Sequence, residues 1–554
     1  MTDQQVEHHQ HDFWWKNAVI YCLDVEMYLD TDGDGIGDFR GLIERIDYLA
    51  ALGVTCVWLM PFYPTANRDD GYDVTDYFDV DDHLGDLGDF AEFVRAASER
   101  GVRVIADLVV NHTSDQHPWF QEARTGPDSP YHDYYVWSDE RPEDWETALV
   151  FPGDQVENWT YDRKAKRYYL HRFYRHQPDL NPTNLAVQDE IKRVIGLWTQ
   201  LGLSGFRVDA VPFLIELSGI DTQLGMTPHG FLRELAGYLG RRRGDAILLG
   251  EVNLPPQDAV EFFGNGDELQ MLFNFGVNQY LHLALVRNDA DPLRKALERL
   301  PEIPAACQWA NFLTNHDELT LDQLTESERQ EVFDEFGPDE DMQLFGRGIR
   351  RRLPPMLGGD LHRLRLAYTV LFSLPGTPVL FYGEEIGMGE NLNIPGRRAV
   401  RSPMQWTSGE NAGFSTAPTD RLRRPVTEGP YGPAKVNAAD QLRDPESMLA
   451  WMERLIRRRR ETPEFGLGAY SLLDLGYSEV LAHRCDWGGR SVIALHNFSD
   501  EPVEVDIEPE CDDRRSVDVW SDRDYGEVDP GSIRISGNGY RWLRLIGPRE
   551  TWLL

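Results

Sequence analysis

Short apolar runs recur along the chain, and each is followed by a segment of helical period. They are AVIYCLDV from Ala18, TCVWLMPF from Thr55, VRVIADLVV from Val102, GFRVDAV from Gly205, AILLGEV from Ala246, QWANFLTN from Gln308 and GTPVLFYG from Gly376. A weaker run, LQMLFNFG from Leu269, would make eight and stand sixth in order. Buried strands alternating with helices build a parallel sheet through right-handed crossovers, and eight repeats predict an α/β fold of the (β/α)8 barrel type. The first helix is the clearest: Leu42, Ile43, Ile46, Leu49 and Ala50 recur at helical spacing, and Gly53 stands where it should stop.

Two segments break the alternation. From Asn111 to about Pro182 aromatics, prolines and charges crowd together with little helical period, as expected of an excursion after strand three. From about Gly466, alternating runs such as SVIALHNF and VEVDIEP separated by Gly, Asp and Pro predict an antiparallel β domain. The expected division is therefore a barrel over 1–110 and 183–465, an inserted domain over 111–182 and a terminal β domain over 466–554. Before that last domain, a helix is expected to begin with Asp444 as cap and Pro445 in its first turn. It places Met448, Leu449, Met452, Leu455 and Ile456 on one face, and Arg457 to Arg460 form a solvated end.

Composition narrows the partners. With 93 acidic and 55 basic residues in 554, the net charge of −38 argues against nucleic acid or an anionic membrane as the partner. The Lys-poor, acidic surface fits a salt-rich cytoplasm or a GC-rich genome equally, and is treated as a solubility feature. No apolar segment suggests export or membrane insertion, so a cytoplasmic protein is expected. Five scattered cysteines suit reduced, buried thiols, and His8, His9 and His11 suit a polar tail better than a metal site. A homo-oligomer is compatible with the sequence.

In such a barrel the active site lies at the C-terminal ends of the strands. The fourth, fifth and seventh runs end in Asp209, Glu251 and, within TNHDE, Asp317. Any one could be a helix cap or an ion-pair partner; three on separate strands facing one mouth suggest chemistry. Retaining glycoside hydrolysis needs two carboxyls about 5 Å apart, one to attack the anomeric carbon and one to give and reclaim a proton. Arg207, on the same strand face as Asp209, should favour that carboxyl's charged form, while the apolar surroundings of Glu251 should raise its pKa.

The motifs DLVVNH (107–112), GFRVDA (205–210), GEVN (250–253) and TNHDE (314–318) resemble, in order, the four signature regions of the α-amylase family of glycoside hydrolases (family 13). The resemblance covers nearly the whole chain. It implies Asp209 as nucleophile, Glu251 as acid/base and Asp317 as a transition-state residue gripping sugar hydroxyls, supported by Arg207, His112 and His316. RDDGYD (68–73) and RSPMQW (401–406) resemble the α-glucosidase and trehalose synthase branches, implying that Asp69 and Arg401 close a pocket around a terminal glucose, with Tyr72 under its ring.

NHDELTLDQLTESERQ (315–330), GIRRRLPPML (348–357), LFSLPGTPVLFYGEEIGMGEN (371–391) and HRFYRHQPDLN (171–181) are similar to the second of these branches, which interconverts maltose and trehalose. An enzyme acting on small α-glucosides, with maltose–trehalose interconversion through a glucosyl-Asp209 intermediate, is the implied activity. The alternatives are an α-glucosidase or sucrose-acting transglucosidase and, outside enzymes, a non-catalytic sugar-binding relative. The acids of YCLDVEMY (21–28) and the context of GEVNLPP (250–256) depart from the branch and are expected to flank the acceptor side and the barrel floor.

The loop DTDGDGIGDF carries Asp30, Asp32, Asp34 and Asp38, but an EF-hand would place Glu where Gly41 stands. In relatives a like loop binds calcium, which implies ligation by those four aspartates and the Ile36 carbonyl. A second calcium implied by the resemblance would use Asn111 and Asp179 with backbone oxygens near Tyr174 and Leu180. Both would be structural, and no organic cofactor is expected.

Overall fold

Eight strands close into a barrel: Ile20–Leu23, Cys56–Leu59, Arg103–Leu108, Gly205–Val208, Ile247–Gly250, Met271–Phe273, Gln308–Asn311 and Thr377–Phe381. Neighbours follow chain order around the ring and all pairs are parallel. The strands are buried on both faces, one filling the barrel and the other meeting helices, which is why the runs are largely apolar and continuous and not alternating, with Asp107 and Arg207 as charged exceptions inside the barrel. The weak sixth run forms the shortest strand of the barrel, three residues long. The computed structural model describes residues 13–143, 145, 149–215, 228–512 and 514–547; His8, His9 and His11, expected in a polar tail, lie outside them.

The first barrel helix is Phe39–Leu52. Asp38 caps it by accepting from the Gly41 N–H at 2.7 Å, and Gly53 ends it at φ 95°, a left-handed turn that glycine adopts without strain. Leu42, Ile46 and Leu49 bury against the barrel, each worth about 1.5–3 kcal/mol of transfer free energy.

Between barrel strands three and four lies a three-stranded antiparallel sheet of Trp137–Ser138, Arg167–Leu170 and Trp159–Asp162. Bridges His112 to Asp179 and Tyr135 to Leu180 tie its root to the end of strand three. A second excursion follows strand seven: Leu319–Thr320, Gly348–Ile349 and Gln343–Leu344 pair around the helix Glu326–Phe336. Sequence periodicity missed it because its strands are only two residues long.

The terminal part is a five-stranded antiparallel sheet with a two-stranded companion, and it has its own core of Leu473, Val480, Ile493, Val505, Ile533 and Leu543. The helix before it departs from expectation at both ends. It spans Met448–Arg460 and is capped by Ser447, whose hydroxyl accepts from the Ala450 N–H, while Asp444 instead closes the preceding turn onto the Glu446 N–H. Nor is its basic end wholly solvated: Arg459 is fully buried and donates to the Gly376 carbonyl at 2.8 Å and to Asn17 Oδ1 at 3.2 Å, joining helix, barrel and N-terminal turn. All five cysteines are free and buried, and no described helix is long and apolar enough to cross a membrane.

Candidate active site

The fourth and fifth barrel strands end side by side, and their registers pair Val208 with Gly250. Asp209 and Glu251 are therefore lateral neighbours on the rim. Arg207, pointing inward two residues before Asp209, is enclosed by three carboxyls: Asp107 at 2.5 Å, Asp209 at 2.6 Å and Glu251 at 2.8 Å. Asp209 sits on one terminal guanidinium nitrogen and Glu251 on the other, so a single cation holds together the two carboxyls that double displacement requires. Ala210 has φ 50°, uncommon for a residue with a Cβ, and this turn aims its N–H at Glu251 Oε2, 3.0 Å away.

Burial dominates the electrostatics. It pushes Glu251 up to about 7 against the pull of Arg207, with the Asp209 charge adding to the rise. It also pushes Asp209 up to about 6, because the shared guanidinium does not fully offset burial. Arg207 pulls Asp209 toward its charged form, as expected, but one cation serves three buried acids and does not fully offset their burial. Asp107 rises to about 6 by the same burial, while the Trp58 indole donates to its other oxygen at 2.8 Å.

Asp317 behaves oppositely. Burial would raise its pKa, but Arg397, His316 and Arg401 surround it and hold it well below the usual carboxylate range. Arg397 Nη1 lies 3.0 Å and Arg401 Nη2 2.7 Å from Asp317 Oδ1. The expected closure by Asp69 and Arg401 takes a different form here. Asp69 pairs with Arg397 at 2.9 Å and accepts from the Gln177 amide at 2.9 Å, while fully buried Arg401 pairs with Asp70 at 2.8 Å. Sequence reading missed Arg397, which stands four residues before the motif that drew attention to Arg401.

These groups line a cavity of about 360 Å³ bounded by Asp69, Tyr72, His112, Asp209, Glu251, Asp317 and Arg397. Phe151, Phe173 and Phe213 form an apolar wall on the inserted side, and Arg397 lies 4.9 Å from the Phe151 ring centre. Tyr72 stacks parallel to His316, its hydroxyl 2.8 Å from His316 Nε2, and its carbonyl is 3.1 Å from His112 Nε2. Burial lowers both imidazoles, His112 to about 4, so they serve as neutral hydrogen-bonding groups. Glu318, which sequence reading left unassigned, lines the same cavity, and burial beside Asp317 pushes it up to about 7.

The departures from the branch pattern separate. Asn253 and Leu254 line the cavity. Asp24 and Glu26 do not: they face Arg424, which also pairs with Asp70 at 2.6 Å and donates to the Arg401 carbonyl. These acids therefore brace the back of Arg401 and do not line the cavity.

In the aspartate loop, one oxygen from each of Asp30, Asp32 and Asp38 comes within 4.8 Å of the others. Three carboxylates converging on one loop fit a hard cation such as calcium. Asp34 is not in this group; its Oδ1 accepts from the Ile36 N–H at 2.8 Å and shapes the turn. A Cβ on Gly41 would meet the Leu29 carbonyl at 2.1 Å, so the loop excludes the Glu of an EF-hand there. At the other set, Asn111 donates to Asp179 at 3.4 Å, the Leu180 N–H bonds the Asn111 carbonyl, and the Tyr174 carbonyl is engaged by the Gln177 N–H. Asp179 is its one carboxyl, accepts from the Arg172 N–H and is pushed up to about 7 by burial.

The model "Alpha amylase, catalytic domain" matches residues 25–335 and 350–468, and "Sucrose hydrolase-like, C-terminal domain" matches 489–544. A trehalose synthase of Pimelobacter sp. (strain R48) is 41% identical over 559 residues, covering 97% of each chain. A protein described as trehalose synthase/amylase from Mycobacterium tuberculosis (strain CDC 1551 / Oshkosh) is 40% identical, over 96% of this chain and 90% of its own. Among solved structures, a trehalulose synthase superposes with a TM-score of 0.76 at 27% identity, over 96% of this chain and all of that one.

Proposed function

The chain belongs to the α-amylase family, and from that premise we propose that it is a retaining α-glucosyl-transferring enzyme that interconverts maltose and trehalose. The observation that carries this reading is the pair Asp209 and Glu251 on the two ends of one guanidinium, at the floor of a cavity closed on one side by Asp69 and Arg397.

The chemistry follows from the two carboxyls. The Asp209 carboxylate attacks the anomeric carbon of the non-reducing glucose of maltose, the C1–O bond breaks, and Glu251 gives its proton to the departing oxygen. Burial, which holds Glu251 up to about 7, supplies that proton near neutral pH. Ionised Asp317 accepts hydrogen bonds from the hydroxyls of the glucosyl ring, and Tyr72 lies beneath it. The freed glucose turns within the cavity and presents its anomeric hydroxyl. Glu251 takes that proton, the oxygen attacks C1, and the Asp209 carboxylate leaves. Two inversions preserve the α configuration and give trehalose. Water reaching the glucosyl-Asp209 ester would yield glucose, so the phenylalanine wall and the Arg397 closure favour transfer.

Calcium bound by Asp30, Asp32 and Asp38 would offset most of the charge of three carboxylates and stiffen the turn into the first barrel helix. Free cysteines throughout are compatible with a reducing compartment such as the cytoplasm.

Product analysis by NMR tests the reading. Maltose should give trehalose, and trehalose maltose, with glucose a minor product. Glucose without trehalose would leave an α-glucosidase and reject the interconversion.

A further inference from the structure

Beside the inserted sheet lies a second cavity of about 560 Å³, separate from the catalytic one and more basic than the acidic chain around it. Four guanidiniums line it, from Arg68, Arg124, Arg163 and Arg175, against the two carboxylates Asp115 and Asp162. Arg68 pairs with Asp115, and Arg124 with Asp162 at 2.5 Å. Arg163 and Arg175 are exposed and have no ion pair among the described residues. In a chain of net charge −38, two unmatched arginines at one concavity present donors for an anion. Phe120, Tyr161 and Tyr169 add aromatic rings to the walls; Tyr161 is 45% exposed, and the Tyr169 hydroxyl donates to the Arg175 carbonyl at 2.7 Å. Such rings suit the apolar face of a sugar, and the volume is in the usual range for a small ligand.

We propose that this cavity binds a phosphorylated monosaccharide, its phosphomonoester held by Arg163 and Arg175 and its ring against the tyrosines, and that the bound ligand acts on the catalytic pocket through Asp69. Two walls connect the sites. Arg68 immediately precedes Asp69, and its N–H and side chain both face Asp73. His176, also in the lining, immediately precedes Gln177, whose amide holds Asp69 Oδ2 at 2.9 Å. A phosphate drawing on Arg68 competes with Asp115 and shifts the segment that positions Asp69.

The test is calorimetric titration of the full chain with glucose 6-phosphate, inorganic phosphate and glucose at fixed ionic strength, on the parent and on Arg163→Ala/Arg175→Ala. Glucose 6-phosphate should bind the parent and lose roughly tenfold or more in affinity in the double variant. The variant should keep the parent's turnover without ligand, since neither arginine lines the catalytic cavity. No binding at millimolar concentration, or binding that survives the double substitution, overturns the site. Inorganic phosphate binding as tightly as glucose 6-phosphate overturns the sugar half of the proposal. The link to Asp69 is read as a change in KM for p-nitrophenyl α-glucoside with glucose 6-phosphate present; an unchanged KM in a protein that binds the ligand rejects it. The titration does not depend on maltose–trehalose interconversion, so failure of that reading and of this one are distinguishable.

Discussion

Replacing Arg397 with Met tests how the pocket is closed. Its guanidinium holds Asp69 with one nitrogen and Asp317 with the other, at 2.9 and 3.0 Å, and shields the cavity beside Phe151. Methionine keeps most of the stem's volume and removes both charge-assisted contacts. Neither carboxyl is left bare: Asp69 retains Gln177, and Asp317 retains Arg401 and His316. The fold should therefore survive, and the loss should fall on the grip of the terminal glucose. One hydrogen bond to a charged group is worth about 1.5–3 kcal/mol, so a single misplaced hydroxyl contact predicts a drop of about 10- to 150-fold in kcat/KM. With the cation gone, water gains access to the glucosyl ester, and the ratio of glucose to trehalose should rise. NMR time courses on maltose measure both quantities, with thermal melting as the control for folding. A kcat/KM within a factor of about two of the parent's and an unchanged product ratio would refute the reasoning, because that is the range of a surface substitution with no structural role.

Three further outcomes follow from the same structure. The pH profile of kcat/KM should be a narrow bell: activity is lost as pH falls through about 6, where Asp209 protonates, and as pH rises through about 7, where Glu251 loses its proton; a flat profile across that window contradicts the assignment. Thorough chelation should lower the melting temperature and leave kcat on the surviving fold unchanged, and Asp30→Asn should abolish the calcium dependence of melting; identical melting curves with and without calcium remove the proposed site. Arg459→Met should destabilise the chain by about 1.5–3 kcal/mol in urea titration, since the buried Gly376 carbonyl loses its charged donor, and should spare KM.

Strand positions were legible because strands buried on both faces are largely apolar, and even the sixth, with three paired residues, left a trace in LQMLFNFG. Asp209, Glu251 and Asp317 were legible for a related reason: an acid directly after a buried strand, or a few residues beyond it, has a defined place on the rim. What escaped was set by long-range packing. Arg397 and Arg401 differ by four residues, and only the fold determines that one reaches Asp69 and the other Asp70. Arg459 sits within four consecutive arginines, and only its place on the helix turns it inward to Gly376. Asp24 and Glu26 read as departures near the acceptor until Arg424 accounted for both. Helix starts were misjudged locally: Asp444 and Ser447 are both competent caps, and the one in extended conformation next to the apolar face won.

In the proposed reaction, glucose released from maltose stays within the cavity, turns, and is rejoined to the glucosyl group on Asp209. The most direct measurement converts unlabelled maltose in the presence of excess ¹³C-labelled glucose and follows the label in trehalose by NMR and mass spectrometry. Early trehalose should be essentially unlabelled. Label entering in proportion to the added glucose would mean that the freed sugar leaves the cavity, and would contradict that reaction.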